Sequence, residues 1–343
     1  MMSRRVGIRD VAEAAGVSLT TVSHSLSGAG QVSEATRERV KAVAARLNYA
    51  PNRQASGLRS RRSQIIGFVS DEITTTPYAG RVLLGAQEAA ARQGWVLMIV
   101  NTSADADAEA RSIEALLQHN VDGIVYARMY HQRVVVPEAL AAVPTVLLDA
   151  TTGNDHVSSV VPDEQGAAAS AVAHLIAAGH RRIGYLSNVE DIPATRGRIR
   201  GYRQALHEHG IAVDESLLVP SGSTTGPGRE AAGRLLDRPD RPTALFCFND
   251  RIAMGAYQAA QARGLRIPED LSVVSIDNFE VIAAALDPGL TTIALPHHEM
   301  GRWAIERLAL ELESARDDEP LEPEQVRMRC PLIERQSVGP PPP

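Results

Sequence analysis

The chain has 343 residues, of which 44% are apolar and 22% are charged, as in a globular protein of two or three domains. No apolar run reaches the roughly 18 to 20 residues of a membrane helix, and the first residues do not form an apolar signal region, so a cytoplasmic protein with no membrane partner is expected. The two cysteines, Cys247 and Cys330, predict neither a disulfide framework nor a metal site, and no metal or cofactor is expected.

The net charge of −6 is unevenly distributed along the chain. Residues 1–63 contain eleven Arg or Lys and four Asp or Glu, a net +7, so the remaining residues carry −13. A basic head on an acidic body indicates a nucleic-acid-binding module attached to a body that does not bind nucleic acid.

The basic head has the pattern of three short helices. One apolar helical face is formed by Ile8, Val11, Ala12 and Ala15. Gly16 is expected to end this helix, Ser18 to cap a second, polar helix over about 19–26, and Ser33 to cap a third. A helix, a glycine-containing turn and a short polar helix form the helix-turn-helix pattern, whose second helix presents side chains to base edges. A helical bundle that binds no nucleic acid is the alternative on this spacing alone.

The head carries a specific resemblance. IRDVAEAAGVSLTTVSH at 8–24, VSEATR at 32–37 and LNYAPN at 47–52 resemble the head of the lactose-repressor (LacI/GalR) family of transcription factors. The resemblance implies that Leu19, Thr20 and His24 read bases in operator DNA, and that Ser18, Thr21 and Ser23 lie nearer the phosphates. Many members carry arginine where this chain has His24, which is similar to the purine-repressor branch, so the operator preference of the arginine-bearing members does not transfer.

A basic, polar segment follows the head. Pro51 prevents the third helix from continuing, and Gly57 interrupts the stretch that follows, so a helix here is predicted to be unstable alone. The resemblance implies a hinge helix within residues 49–63, formed when two copies meet in the minor groove and a leucine wedges into a base step. A flexible linker is the alternative. The expected DNA contacts of the hinge are Asn52, Arg53, Ala55 and Leu58.

From residue 64 onward, short apolar runs alternate with helical stretches. The predicted strands are Ile65–Ser70, Trp95–Val100, Gly123–Tyr126, Thr145–Leu148, Ile183–Ser187, Ala244–Phe248 and Val273–Ile276. The predicted helices are Tyr78–Gln93, Ala106–His119, Glu164–Ala178, Ile199–His209, Pro227–Leu236, Arg251–Arg263 and Glu299–Leu312. This alternation predicts a doubly wound, mostly parallel α/β body. The body contains neither GxGxxG after a strand nor GxxxxGK[ST], which argues against dinucleotide and P-loop sites.

Polar residues follow many of these strands, at the edge of the sheet where such folds bind ligands. They include Ser70, Asp71, Asn101, Tyr126, Asp149, Asn188, Asn249, Asp250 and Asp277. Each alone is equally well explained as a capping or turn residue. Their shared position favours a pocket rich in hydrogen-bond acceptors.

The body also resembles the regulatory domain of the same family, in GHRRIG at 179–184, RGR at 196–198, FNDRIAMG at 248–255, SIDN at 275–278 and PGLTTI at 288–293. The implied organisation is a helix-turn-helix domain at 1–48, the hinge, and a two-lobed, periplasmic-binding-protein-like (type I) α/β domain at 64–336. One lobe is expected at about 64–163 plus 293–323, the other at about 164–292 plus 324–336, and a disordered tail at 337–343. The expected effector-binding residues are Asp71, Tyr78, Tyr126, Arg128, Asp149, Arg198, Phe248, Asn249 and Asp277.

These observations predict a homodimeric repressor that binds pseudo-palindromic operator DNA and is released from it by a carbohydrate. Carboxylates are acceptors that suit the hydroxyl groups of a neutral polyol and repel phosphates. Tyr78, Tyr126 and Phe248 are expected to offer a sugar ring its apolar face. A purine-type repressor that needs a corepressor is the alternative within the class, and a solute-binding protein is the alternative outside it. No enzyme is expected, because neither a GxSxG elbow nor an HExxH pair is present.

Overall fold

The computed structural model of the chain describes residues 6–27, 30–49, 63–73, 78–153 and 155–343. The chain divides into two compact units, residues 1–63 and 64–343. The predicted fold class, a small helical head followed by a two-lobed α/β body, is confirmed. None of the described helices is both long enough and apolar enough to cross a membrane.

The described part of the first unit contains three helices: α1 (Ile8–Ala15), α2 (Leu19–Ser27) and α3 (Glu34–Arg46). They pack around one small core made of Val11, Ala12, Ala15, Val22, Val40, Val43 and Ala44. Val11, Val22 and Val40 are fully buried, one from each helix. The helices are too short to be stable alone, so this shared apolar contact is what stabilises them.

The first lobe of the second unit is built on a six-stranded parallel sheet in the order β11-β5-β4-β3-β1-β2. Its strands are β1 (Ile65–Ser70), β2 (Val96–Asn101), β3 (Gly123–Arg133), β4 (Thr145–Thr151), β5 (Ser159–Pro162) and β11 (Gln325–Met328). Its helices are α4 (Ala79–Arg92), α5 (Ala106–Gln118) and α11 (His297–Asp317), with a 3-10 turn at Glu138–Ala142. Helix α11 packs against α4 and covers the same face of the sheet.

The second lobe is built on a six-stranded sheet in the order β12-β10-β9-β8-β6-β7, in which only the β10–β12 pair is antiparallel. Its strands are β6 (Ile183–Asn188), β7 (Leu218–Ser221), β8 (Ala244–Cys247), β9 (Ser272–Asp277), β10 (Thr291–Ala294) and β12 (Leu332–Ile333). Its helices are α6 (Glu164–Ala177), α7 (Pro193–Glu208), α8 (Thr225–Leu236), α9 (Asp250–Gln261) and α10 (Glu280–Ala283), with a 3-10 turn at Glu215–Leu217.

The chain passes between the lobes three times, after β5, after β10 and after β11. The third crossing differs from the expectation that residues from about 324 onward belong to the second lobe. Strand Gln325–Met328 instead pairs with Ser159–Pro162 at the edge of the first sheet. The second crossing also comes later than expected, because β10 lies entirely in the second sheet. Both strands have only four residues, too few for a clear periodic pattern.

The expectation of a disordered tail at 337–343 is wrong. Ser337 is buried, and its hydroxyl accepts a hydrogen bond from the Thr291 N–H and donates one to the Val273 carbonyl. The Gly339 N–H donates to Ser272 Oγ at 3.0 Å, and the Gly339 carbonyl lies 2.9 Å from His180 Nε2. These partners lie far away in sequence, so the local proline-rich composition did not reveal that the tail docks.

Candidate functional sites

The turn between α1 and α2 has the geometry that a helix-turn-helix requires. Gly16 ends α1 in the left-handed region at φ 63°, where a side chain would be strained. The Val17 N–H then donates to the Ala12 carbonyl at 3.1 Å, which reverses the chain within two residues. Ser18 Oγ accepts from the Thr21 N–H at 3.1 Å and caps the start of α2.

Helix α2 buries one side and exposes the other. Val22 and Ser25 face the core of the head. Leu19 and Thr20 are exposed, whereas Thr21, Ser23 and His24 are half-buried. The His24 ring lies against Gly30, where an added Cβ would overlap its Nδ1. The helix therefore presents small hydroxyl side chains and one imidazole on one surface, as a DNA-reading helix needs.

The four expected hinge contacts, Asn52, Arg53, Ala55 and Leu58, lie outside the described residues. Their assignment remains a prediction.

A cavity of about 230 Å³ lies between the two lobes, beyond the carboxyl ends of the strands. It is lined by Glu72, Tyr78, Met129, Tyr130, His131, Asp149, Pro162, Glu164, Asn188, Glu190, Ile192, Ala194, Arg198, Ser223, Phe248, Asn249, Arg251, Asp277, Leu295 and His297. Residues of both lobes and of two of the crossing segments line this cavity. This volume is below the roughly 300–1,000 Å³ common for ligand pockets, so the cavity suits a small ligand. We call it the interlobe cleft.

The guanidinium of Arg198 lies in one wall of the interlobe cleft and is only 3% exposed. Its Nε donates to Glu164 Oε2 at 2.6 Å, and one terminal nitrogen donates to the Phe248 carbonyl at 2.5 Å. The guanidinium carbon also lies 4.2 Å from the centre of the Phe248 ring. The ion pair offsets the cost of burying the arginine, and the ring adds a cation–π contact.

The pairing of Arg198 with Glu164 depends on two glycines of α7. A Cβ at Gly197 would lie 2.7 Å from the Glu164 Cβ, and one at Gly201 would overlap the Gln165 carbonyl oxygen. Since neither glycine carries a side chain, α7 approaches α6 closely enough for the arginine to reach the carboxylate at the start of α6.

A hydrogen bond joins the two lobes across the interlobe cleft. The Tyr78 hydroxyl, at the start of α4, donates to Asp277 Oδ2, at the end of β9, with a distance of 2.7 Å. The Tyr78 ring stacks on His297 and meets the edge of Phe279. Burial, reinforced by the nearby Asp250 carboxylate, raises the pKa of Asp277. Burial lowers the pKa of His297 to about 4, so this imidazole is neutral at pH 7.

Asp250 supports the interlobe cleft without lining it. Its carboxylate accepts hydrogen bonds from the hydroxyls of Ser275 and Thr292 and from the Phe279 N–H, at 2.5, 2.8 and 2.6 Å. These bonds fix the end of β9, which carries Asp277, and the loop that follows it. The side chain of Asn249, which was expected to bind the effector, caps α9 by accepting from the Ile252 N–H at 2.8 Å while still lining the cleft.

Three buried polar atoms of the interlobe cleft have no hydrogen-bond partner among the described residues: Asp149 Oδ1, His131 Nδ1 and Arg251 Nε. Burying an unsatisfied polar atom costs free energy, and such atoms in a cavity point to a ligand or water that satisfies them. Burial, reinforced by the Glu164 carboxylate, raises the pKa of Asp149 well above its usual value. Burial also lowers the pKa of His131.

The structure places three expected effector residues away from the interlobe cleft. Tyr126 and Arg128 pair with each other and with Glu109, whose carboxylate lies 2.7 Å from the Tyr126 hydroxyl and 3.0 Å from the guanidinium. They were expected at a strand end, but β3 continues to Arg133 and puts Met129, Tyr130 and His131 in the cleft instead. Asp71 is buried and accepts hydrogen bonds from the Met129 N–H and the Gln132 amide, which tie β1 to β3.

The remaining expected effector residues, Tyr78, Asp149, Arg198, Phe248, Asn249 and Asp277, all line the interlobe cleft. Glu164, His131 and His297 also line the interlobe cleft but were not predicted from the sequence. Glu164 follows the first crossing and starts a predicted helix, a position that could have marked it as a residue between the lobes. No local signal marks the two histidines.

Both units match known proteins. A family model described as bacterial regulatory proteins of the lacI family matches residues 7–52, and one described as periplasmic binding proteins and sugar binding domain of the LacI family matches residues 63–336. The transcriptional repressor PurR of Vibrio atlanticus is 33% identical over 96% of this chain and 98% of its own length.

Two solved structures extend this similarity. The complex of the transcriptional regulator CelR with cellobiose has 30% identity and a TM-score of 0.70, covering 97% of this chain and 100% of that one. The lac repressor dimer bound to operator and the anti-inducer ONPF has 26% identity and a TM-score of 0.80, covering 98% and 100%.

The buried Arg198–Glu164 pair generates a stability prediction. Glu164→Ala leaves the buried guanidinium without its carboxylate and is expected to lower the free energy of unfolding by about 3–5 kcal/mol. Urea denaturation of the full-length protein, followed by circular dichroism, measures this change. In the matched control, Asp191→Ala, the lost partner is Arg196, and that pair is exposed on the same helix end. The control is expected to unfold like the wild type. Equal midpoints for all three proteins would contradict the assigned role of Glu164.

Proposed function

The chain belongs to the LacI family of bacterial regulatory proteins, and from this membership we propose that it is a repressor which a small sugar releases from its operator. As a member, it is a DNA-binding transcriptional regulator that responds to an effector. The observation that carries the sugar proposal is the interlobe cleft, a small cavity lined from both lobes by residues that carry buried, unsatisfied polar atoms.

We assign DNA reading to α2. Leu19 and Thr20 are exposed on it, and His24 lies one turn further along the helix, so these three side chains are proposed to contact bases. Ser18, Thr21 and Ser23 are proposed to contact phosphates, since short hydroxyl side chains at a helix start suit backbone oxygens. The hinge residues Asn52, Arg53, Ala55 and Leu58 complete the proposed DNA contacts in the minor groove.

The chemistry of the interlobe cleft favours a sugar. Asp149 and Asp277 offer acceptors to hydroxyl groups, and the buried Arg251 Nε offers a donor. Phe248 and Tyr78 add aromatic surface. A hexose or pentose fits the small cavity better than a disaccharide does, although the similar regulator CelR binds cellobiose. A sugar that bridges the two lobes stabilises one arrangement of them, which is how binding alters the protein's state.

A purine-type corepressor is the second candidate, because His24 resembles the purine-repressor branch and PurR is a relative. The aromatic surfaces of the interlobe cleft argue against it. One face of the Phe248 ring is covered by Arg198, and one face of the Tyr78 ring is covered by His297, so each of these two rings has at most one face open to a planar base. The alternative of a solute-binding protein does not account for the helix-turn-helix. The alternative of an enzyme does not fit the description of the matching family as bacterial regulatory proteins.

We propose that the protein acts as a homodimer, like the lac repressor dimer it resembles. Strand β2 forms an edge of the first sheet, and Val96 and Ile99 on it are 54% and 44% exposed. Leu84 on the adjacent helix α4 is 51% exposed. Large apolar side chains grouped at a sheet edge mark a contact surface. A dimer also presents two α2 helices, as a pseudo-palindromic operator requires.

The assignment of α2 predicts how DNA binding responds to salt and substitution. The full-length protein is first used to select an operator from random duplexes, and binding is then followed by fluorescence anisotropy. The logarithm of affinity is expected to fall steeply with the logarithm of salt concentration, because the +7 head displaces counterions from several phosphates. His24→Ala is expected to weaken operator binding by about 1–3 kcal/mol and leave binding to random DNA unchanged.

Lys41→Ala is the matched control, because Lys41 is exposed on α3 and pairs with Glu38 rather than lying on α2. It removes a positive charge without touching the proposed base contacts, so it should leave the preference for the operator over random DNA intact. Two results would contradict the role of α2: an affinity for operator that does not change with salt concentration, or an equal loss of the preference for operator over random DNA in His24→Ala and Lys41→Ala.

The sugar proposal predicts selective binding in the interlobe cleft. A panel of ribose, glucose, galactose, cellobiose, guanine and hypoxanthine is titrated into the full-length protein by calorimetry. At least one sugar is expected to bind, and Asp277→Asn is expected to weaken it about tenfold, the effect of losing one charged acceptor. Asp318→Asn, at the exposed end of α11, is the control and should bind like the wild type. Binding of a nucleobase with no response to any sugar contradicts the sugar proposal.

A further inference from the structure

Asp149 is a buried acid of the interlobe cleft, and its carboxyl oxygen Oδ1 is not satisfied within the described residues. Asp149 lies in β4 at φ 53°, a left-handed conformation that turns its side chain out of the strand pattern. The residue is only 3% exposed, and Oδ1 has no hydrogen-bond partner among the described residues. A buried carboxylate normally accepts several hydrogen bonds. This residue instead lines a cavity.

The neighbours of Asp149 do not neutralise it. Arg198 is the nearby cation, but its Nε and one terminal nitrogen are already engaged by Glu164 and by the Phe248 carbonyl. Glu164 and Asp71 add negative charge close to Asp149. The Asp71 carboxylate is in turn occupied by the Met129 N–H and the Gln132 amide.

The lining of the interlobe cleft as a whole carries more acidic than basic side chains. Among the described residues that line the interlobe cleft, the acidic ones are Glu72, Asp149, Glu164, Glu190 and Asp277. The basic ones are Arg198 and Arg251. His131 and His297 do not offset the acidic excess, because burial lowers the pKa of each. Burial and the neighbouring carboxylates raise the pKa of Asp149 and Asp277, so the cost of this crowding is met by proton uptake unless a cation is bound. A positively charged ligand therefore relieves repulsion that a neutral one leaves in place.

We propose that the effector is an amino sugar, whose ammonium group binds Asp149 while its hydroxyl groups bind the rest of the interlobe cleft. This inference rests on the proposed sugar function and narrows its ligand class. An ammonium group has three donors and no acceptor, so it suits an unpartnered carboxylate oxygen and forms a charge-assisted hydrogen bond with it. The buried Arg251 Nε, which needs an acceptor, suits a ring or hydroxyl oxygen of the same molecule.

A hydroxyl group is the competing occupant of the Asp149 subsite. It exchanges a hydrogen bond with the carboxyl group but brings no positive charge to the site beside Glu164 and Asp71, so it does not favour the ionised form of Asp149 as an ammonium group does. An N-acetylated amino sugar donates an amide hydrogen bond and is equally neutral. The three ligand types therefore have different affinities only if charge at this position matters, which makes matched sugars a direct test.

The experiment titrates the full-length protein at pH 7 with three matched sets: glucosamine, galactosamine and mannosamine, their parent hexoses, and their N-acetyl derivatives. At least one amine is expected to bind at least about tenfold more tightly than its parent hexose and its N-acetyl form, since a charge-assisted hydrogen bond is about twice as strong as a neutral one. A parent hexose or N-acetyl form that binds as tightly as its amine overturns the amino-sugar inference and leaves the sugar function intact. Absence of binding by all nine compounds counts against both.

Two variants test whether Asp149 is the residue that recognises the amine. Asp149→Asn keeps the shape of the side chain, and asparagine tolerates the left-handed backbone well. It is expected to weaken binding of the amine more than binding of the parent hexose, and so to remove the preference for the amine. Glu190→Gln is the matched control, because it removes one negative charge from an exposed position in the lining of the same cleft. The Glu190→Gln variant should keep most of the preference for the amine over the parent hexose. An equal loss in both variants shows a diffuse charge effect and overturns the assignment to Asp149.

Discussion

The buried guanidinium of Arg198 is the constraint on which the interlobe cleft depends. Arginine remains protonated inside proteins, so burying it requires acceptors on every side that lacks water. Glu164 provides one at the start of α6, directly after the chain first crosses between the lobes, and the Phe248 carbonyl provides another just after β8. One charged group thus ties a crossing segment to the ligand-binding edge of the second sheet. The glycines of α7 that let the helices approach are part of the same arrangement.

The buried polar groups in and behind the interlobe cleft divide into those whose hydrogen bonds are satisfied within the protein and those that keep unsatisfied atoms. The carboxylates of Asp250 and Asp71 accept hydrogen bonds from backbone and side-chain donors of the protein. These bonds fix the loops that follow β9 and β1. Asp149 and Arg251 keep buried atoms unsatisfied. The first pair holds the surrounding loops in place, and the second pair is the basis of the ligand chemistry that we propose. A bound polyol that satisfies both lobes at once links ligand binding to their arrangement.

The local sequence pattern predicted the helices and strands well. It predicted contacts between residues distant in sequence poorly. The bounds of β1 agree with the predicted strand, because six apolar or small residues between polar ones leave little choice. Residues 127–133 lack that pattern, so the extension of β3 went unseen and Tyr126 was wrongly placed at a strand end. Glu164 looked like any helix start, since its partner lies 34 positions away. Ser337 looked like part of a loose tail because both of its hydrogen-bond partners are distant in sequence.

The central claim is that the interlobe cleft and the operator-binding head act on one equilibrium. Such coupling is reciprocal: the factor by which the effector weakens operator binding equals the factor by which operator weakens effector binding. The direct measurement is the affinity of the full-length protein for its tightest-binding sugar, by calorimetry, with and without saturating operator duplex. Sugar binding is expected to be weaker in the presence of operator, by the same factor by which sugar weakens operator binding. Equal sugar affinity in the two titrations contradicts it.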